Sequence, residues 1–269
     1  MIDAHNHLHD ARLVPHRPVI FAELARLGVT RAIVNGTRED DWPAVAALAR
    51  EQSFVIPSFG LHPWHVATRS ADWLARLRAM LDAQPGAVIG EIGLDRWIAG
   101  HDPAVQREVF TAQMALAAER NLPATMHCLR AWGALWDLIR TEQVPARGFL
   151  LHAYGGPAEM VRGFVARGAY FSFNAYFLHE RKAAQRAVFQ HIPPDRLLVE
   201  TDAPDLRPPD ERNPHPLRDA DGHPLNHPAN IALAYTALAT LRGMPVAELT
   251  VQIAENFARL FGPARLWGV

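Results

Sequence analysis

Eight short runs rich in β-branched, aliphatic and aromatic residues punctuate the chain: MIDAH, RAIVN, FVIPSFGLH, AVIGEIGLD, PATMHC, GFLLHAY, AYFSFN and RLLVETD. Between them lie stretches such as WLARLRAMLDA and QREVFTAQMALAAER, whose apolar residues recur at three and four positions and so line one helical face. This alternation is the pattern of repeated βα units, in which every helix carries the chain back to start another parallel strand. Gly86, Gly148 and Gly168 stand just before later runs, where a helix ends and the chain turns back. No strand start carries a GxGxxG fingerprint. A (β/α)8 TIM-type barrel, slightly distorted if at all, is therefore expected before an open doubly wound sheet, with a seven-stranded barrel as the alternative. At 269 residues, 49% of them apolar, the chain suits one such domain over residues 1–269. Residues 205–228 are dense in proline and charge and are predicted to form a long loop after the eighth strand. Two helical patterns, ANIALAYTALATLRG and PVAELTVQIAENFARLFG, then complete the outer ring.

The polar residues fall at one end of these strands. His5 and His7 end the first, His62 the third, His127 the fifth, His152 the sixth, Asn174 the seventh and Asp202 the eighth, while Glu91 lies in the fourth. In a barrel the carboxyl ends of the strands converge on one mouth, where active sites of this fold are built. His5 and His7 are two apart, so strand alternation points both to one face, with Asp3 a layer deeper. Four imidazoles (His5, His7, His127, His152) and two carboxylates (Glu91, Asp202) exceed the needs of one tetrahedral ion and suit two divalent ions, zinc, manganese or magnesium, sharing a bridge. The single lysine, Lys182, sits in the helical HERKAAQRAVF, which argues against a carboxylated-lysine bridge and for Glu91 in that place.

Other residues near the mouth have two readings. His62, Arg130 and Asn174 are placed to contact substrate, neutralising or donating to a phosphate oxygen, or else serve as loop hydrogen bonders. Glu200 and Asp95 are expected to orient ligands, and Cys128, alternating away from His127, to be a buried thiol. Trp64, Trp97 and Trp132 each follow a strand end, to stack unpaired bases or simply to pack. A net charge of −1 gives no bulk footprint of a dedicated nucleic-acid binder, so any nucleic acid is handled locally. The lone cysteine excludes an intramolecular disulfide framework, and neither a signal peptide nor a membrane-length apolar run is seen. These features predict a cytoplasmic protein without membrane association.

Six segments in order, DAHNHL, GLHPW (60–64), GEIGLD (90–95), MHC, LHAYGG and ETDAP (200–204), make nearly the whole chain similar to the TatD-like metal-dependent hydrolases of the amidohydrolase superfamily. The resemblance implies a binuclear barrel site, with His5, His7, Glu91 and Asp202 around one metal and Glu91, His127 and His152 around the other. It further implies that Asp202 takes the proton of the attacking water, with Glu91 as its catalytic companion. It points to a phosphodiesterase acting on DNA ends, a deoxyribonuclease of the 3′-5′ exonuclease type. A small-molecule amidohydrolase or esterase, acting on a phosphoester or amide, is the alternative, and a non-catalytic metal-binding partner module the third. A monomer or weak homo-oligomer is expected. The chain departs from the family pattern at His9, where an acid is frequent, at HAYGG for HCFSG, at Arg96 for a tyrosine, at Arg130, displaced by one, and at NHP (226–228) for NEP. All of these lie outside the six implied ligands.

Overall fold

The computed structural model describes residues 1–262, so the last seven residues of the expected 1–269 domain lie outside the described part. All eight predicted strands form: β1 (Ile2–Asn6), β2 (Arg31–Asn35), β3 (Val55–Phe59), β4 (Val88–Asp95), β5 (Ala124–Leu129), β6 (Phe149–Leu151), β7 (Ala169–Phe173) and β8 (Leu197–Val199). They pair in sequence order in one parallel sheet. Helices α1 (Arg17–Arg26), α2 (Trp42–Glu51), α3 (Trp73–Ala83), α4 (Pro103–Arg120), α5 (Trp132–Thr141), α6 (Ala158–Ala166) and α7 (Ala183–Val188) follow the first seven strands in turn, and α8 (Ile231–Arg242) and α9 (Val246–Phe261) close the ring. This is the (β/α)8 barrel. Strands such as β1, β3, β4 and β7 are buried along their whole length, as parallel strands must be when helices cover the sheet.

The helices start and stop where the sequence permits. Asp102 caps α4 by accepting from the backbone N–H groups of Ala104 and Val105, and Asn121, in the left-handed region at φ 49°, ends it. On α9 the buried Leu249, Ile253, Phe257 and Leu260 recur at helical spacing and seal the barrel wall. Gly148, at φ 97°, admits no side chain, because a Cβ there would sit 2.3 Å from the Gly168 carbonyl oxygen. Among the described residues no helix is long and apolar enough to cross a membrane.

One seam of the barrel is made differently. Among the described residues no ladder joins β8 to β1. Instead the Asp202 N–H donates to the His5 carbonyl at 2.9 Å and the His7 N–H to the Ala203 carbonyl at 2.8 Å. Below them the buried Asp3 carboxylate accepts from the Thr201 N–H at 3.0 Å and the Thr201 hydroxyl at 2.6 Å. Burial pushes the Asp3 carboxyl up to about 7, in spite of these donors. Asp202 itself lies in the left-handed region at φ 55°, a conformation that aspartate tolerates better than most residues.

Residues 205–228, expected as a long loop, carry regular structure of their own. They contain a two-stranded antiparallel ribbon, β9 (Pro216–Arg218) and β10 (Pro224–Asn226). Proline opens each strand, the position where its missing N–H does least harm. Asp219 accepts from the N–H groups of Asp221 and His223 and so closes the turn. The ribbon is tied down at its end, where the Asn226 amide donates to the Thr201 carbonyl at 2.8 Å. His227 follows, nearly buried, its Nδ1 accepting from the Ala229 N–H at 3.0 Å. Burial lowers its pKa to about 4 from an ordinary 6.5. In the folded chain His227 stays neutral where the unfolded chain takes up a proton, so its contribution is complete above about pH 6.5 and is lost as pH falls toward 4. His227→Asn keeps a capping acceptor without a titrating group. Its thermal midpoint should therefore fall less than the native one between pH 6.5 and 4, and equal slopes would show that His227 does not carry this loss.

Candidate metal centre

Glu91, on β4, is 2% exposed and stands in a ring of imidazoles. Its Oε2 faces His5 Nε2 at 3.3 Å and His7 Nε2 at 3.4 Å. Its Oε1 faces His152 Nε2 at 2.9 Å, His127 Nδ1 at 3.3 Å and His62 Nε2 at 3.6 Å. Asp202 Oδ1 completes one half, 3.4 Å from His5 Nε2 and 3.3 Å from His7 Nε2. Burial alone would neutralise Glu91, but His152, His5 and His62 outweigh it and hold the carboxyl well below its usual range. Asp202 is held low in the same way, against burial, chiefly by His7. Burial also works against a charged His7 and a charged His152, and there Asp202, Glu91 and Glu200 prevail, raising both rings well above an ordinary histidine. At His62 burial prevails and keeps the ring neutral.

The rings of His5, His7 and His127 are each held through the other nitrogen. His7 Nδ1 donates to the Asn35 carbonyl at 2.8 Å, and the Asn35 side-chain amide lies 3.1 Å from His5 Nδ1. Asn35 is held in turn by the Thr125 hydroxyl, which donates to its Oδ1 at 2.6 Å. His127 Nε2 meets Asp95 at 3.0 Å, an acid kept ionised against burial by His127 and by the Trp64 indole N–H. His152 Nδ1 faces Glu200 Oε1 at 3.5 Å, and Glu200 is gripped by Ser172 and by the Asn174 amide at 3.0 Å. Fixing one nitrogen directs the other inward, the arrangement that orients histidines around a metal.

The donor set fits divalent cations. His5 Nε2 is buried without a hydrogen-bond partner. Buried polar atoms are rarely left so, and a cation would satisfy this one. Ligand atoms of His5, His7 and Asp202 lie within 4.8 Å of one another, as do those of His62, Glu91 and His127 and of His5, His152 and Glu200.

All six residues expected as ligands thus converge at the mouth. Of the three expected substrate contacts, His62 lies within the imidazole cluster, its ring 4.4 Å from that of His127, and not out on a rim. Arg130 is exposed at the end of β5. Asn174 lies deeper. It is fully buried, its amide donating to Glu200 and its Oδ1 accepting from the Tyr176 N–H, so in this structure it supports Glu200. His9 faces Asp41 at 3.6 Å, outside the cluster, and Cys128 is buried, which raises its thiol pKa. Sequence reasoning missed Asn35 and Thr125. The signal for Asn35 was present, since it ends RAIVN at the same mouth-facing end as the other site residues.

The family model described as TatD related DNase matches residues 2–262. The 3′-5′ ssDNA/RNA exonuclease TatD of Erwinia tasmaniensis is 30% identical over 263 residues, covering 97% of this chain and 99% of that protein. Its namesake in Shigella flexneri is 32% identical over 271 residues, covering 98% and 100%. The crystal structure of YjjV, a TatD homologue from Escherichia coli, superposes with a TM-score of 0.88 at 26% identity over 98% of each chain.

If Asp95 aims His127, Asp95→Asn should weaken binding of zinc or manganese about 10- to 100-fold, the usual cost of losing such a support. Calorimetric titration of the chelated protein reads it, and an unchanged affinity would remove Asp95 from this role.

Proposed function

We propose, from the premise that the chain belongs to the TatD related DNase family and is a metal-dependent hydrolase of ester bonds, that it is a 3′-5′ exonuclease removing nucleotides from the ends of single-stranded DNA or RNA. The observation that carries this reading is the division of Glu91, one oxygen toward His5 and His7 and the other toward His152 and His127. A carboxylate divided in this way suits a bridge between two cations. His5, His7, Glu91 and Asp202 would hold one divalent ion, and Glu91, His127 and His152 the other, with zinc, manganese or magnesium as candidates.

Divalent ions held by these residues would supply a lowered pKa for water and positive charge beside the phosphoryl oxygens. The chain supplies the proton acceptor and the alignment. Asp202, ionised by its imidazole neighbours, keeps 10% of its side chain exposed where His5 keeps none, so it stands on the solvent side and takes the proton from the attacking water. Glu91 remains an acceptor throughout. Neutral His62 and exposed Arg130 are the residues assigned to the substrate, Arg130 being suited to a phosphate oxygen. The chain acts as a single catalytic domain, monomeric or weakly associated. A reducing cytoplasm suits its lone buried cysteine.

The test is a 5′-labelled single-stranded oligonucleotide incubated with protein loaded in turn with magnesium, manganese, cobalt and zinc. A ladder shortening from the 3′ end is expected. Intact strands with every metal would overturn the nuclease reading, and cleavage of small esters or amides in their place would favour the amidohydrolase alternative. Asp202→Asn should lower the rate by roughly 10²- to 10⁴-fold. Full activity in that variant would remove Asp202 as the proton acceptor.

A further inference from the structure

Trp64 and Trp97 leave 44% and 56% of their surface in solvent, a costly exposure for the side chain with the most apolar area to hide. Their ring centroids lie 6.4 Å apart at 34°, so the two indoles form one patch. The patch adjoins the imidazole cluster, with Trp64 5.1 Å from the ring of His62 and 6.5 Å from that of His127. It is built, not incidental. The Trp64 indole N–H donates to Asp95 at 2.7 Å and the Trp97 backbone N–H donates to the same carboxylate at 2.6 Å. Leu129, 37% exposed and paired with Asp95 across β4 and β5, extends the apolar surface. Trp132, the third indole at this end, packs against Tyr154 at 4.7 Å and Phe164 and takes no part.

Cations flank the patch. Arg96 directly precedes Trp97 and Arg130 directly follows Leu129, and both are exposed. Arg12, elsewhere on the rim, is committed to Asp10 and Asp205, whereas Arg96 and Arg130 form no ion pair among the described residues. Flat aromatic faces beside free guanidinium groups complement a ligand that is itself flat, aromatic and joined to phosphate. That describes a nucleotide.

We propose that Trp64 and Trp97 form a stacking platform for an unpaired nucleobase next to the bond being cleaved, with Arg96 and Arg130 meeting the adjoining phosphates. The proposal rests on the nuclease reading and deepens it by naming the residues that receive the terminal base and its phosphates. In a duplex the base faces are already stacked on their neighbours, so the platform favours single-stranded ends. Every base has a π face, so it discriminates little among sequences.

The test separates this platform from the nuclease reading by measuring binding without turnover. Full-length protein, with divalent metal chelated, is titrated by fluorescence anisotropy with a labelled oligothymidine and with an abasic strand of the same length. The native protein should prefer the base-bearing strand, and Trp97→Ala should weaken that strand roughly 5- to 150-fold, the range for one lost stacking partner, while leaving the abasic strand nearly unchanged. Trp97→Phe, which keeps an aromatic face, should recover most of the affinity. Equal weakening on both strands, no weakening, or no native preference for bases would each overturn the platform. Base-dependent binding without cleavage under any metal would retain it and overturn the nuclease reading.

Discussion

Five carboxyl groups, Asp3, Glu91, Asp95, Glu200 and Asp202, are buried at the mouth of this barrel, and the arrangement of the site follows from holding them there. Removing an ionised carboxylate from water costs several kcal/mol unless partners replace the lost hydration. Around Glu91, Asp95 and Asp202 the partners are imidazoles, of His5, His7, His62, His127 and His152, whereas Asp3 is held by Thr201 and Glu200 by Ser172 and Asn174. A divalent cation would add positive charge to this cluster, and Asn35 and Asp95 hold the rings of His5, His7 and His127 in place around it.

The seam between β8 and β1 shows how the fold serves this. A regular ladder there would have continued the strands past the mouth. Asp3 and two backbone hydrogen bonds close the gap instead, leaving Asp202 in a left-handed turn against His5 and His7. Asn226, arriving from the ribbon of residues 216–226, holds Thr201 from the other side. The ends of the barrel chain are therefore joined at the place where two of its elements supply the centre.

The parts legible in the sequence were those that depend on periodicity. Strand runs, helical faces and the two-residue spacing of His5 and His7 follow from alternation, and strand ends in a parallel barrel share one mouth, so Glu91, His127, His152 and Asp202 could be placed without contacts. Residues whose task is to hold another residue were less legible. Asn174 occupies a strand end like the histidines, and only the position of Glu200 shows that its amide is already engaged. Asn35 was hidden for the same reason. Residues 205–228 read as loop because they are dense in proline, yet the rule against proline in strands is relaxed at a strand's first residue, where Pro216 and Pro224 occur. Nor could three tryptophans at strand ends be told apart until Trp132 was found packed and the other two exposed.

Asp95 anchors the two indole residues in different ways, and this gives them different freedom to change over evolutionary time. Trp64 is held through its side-chain N–H, so a replacement lacking that donor also disturbs the carboxylate that steadies His127. Trp97 is held through its backbone N–H, which any residue except proline provides. Position 97 is thus a permissive site: the outer face of the mouth can be retuned there for another ligand while the hydrolytic interior stays as it is.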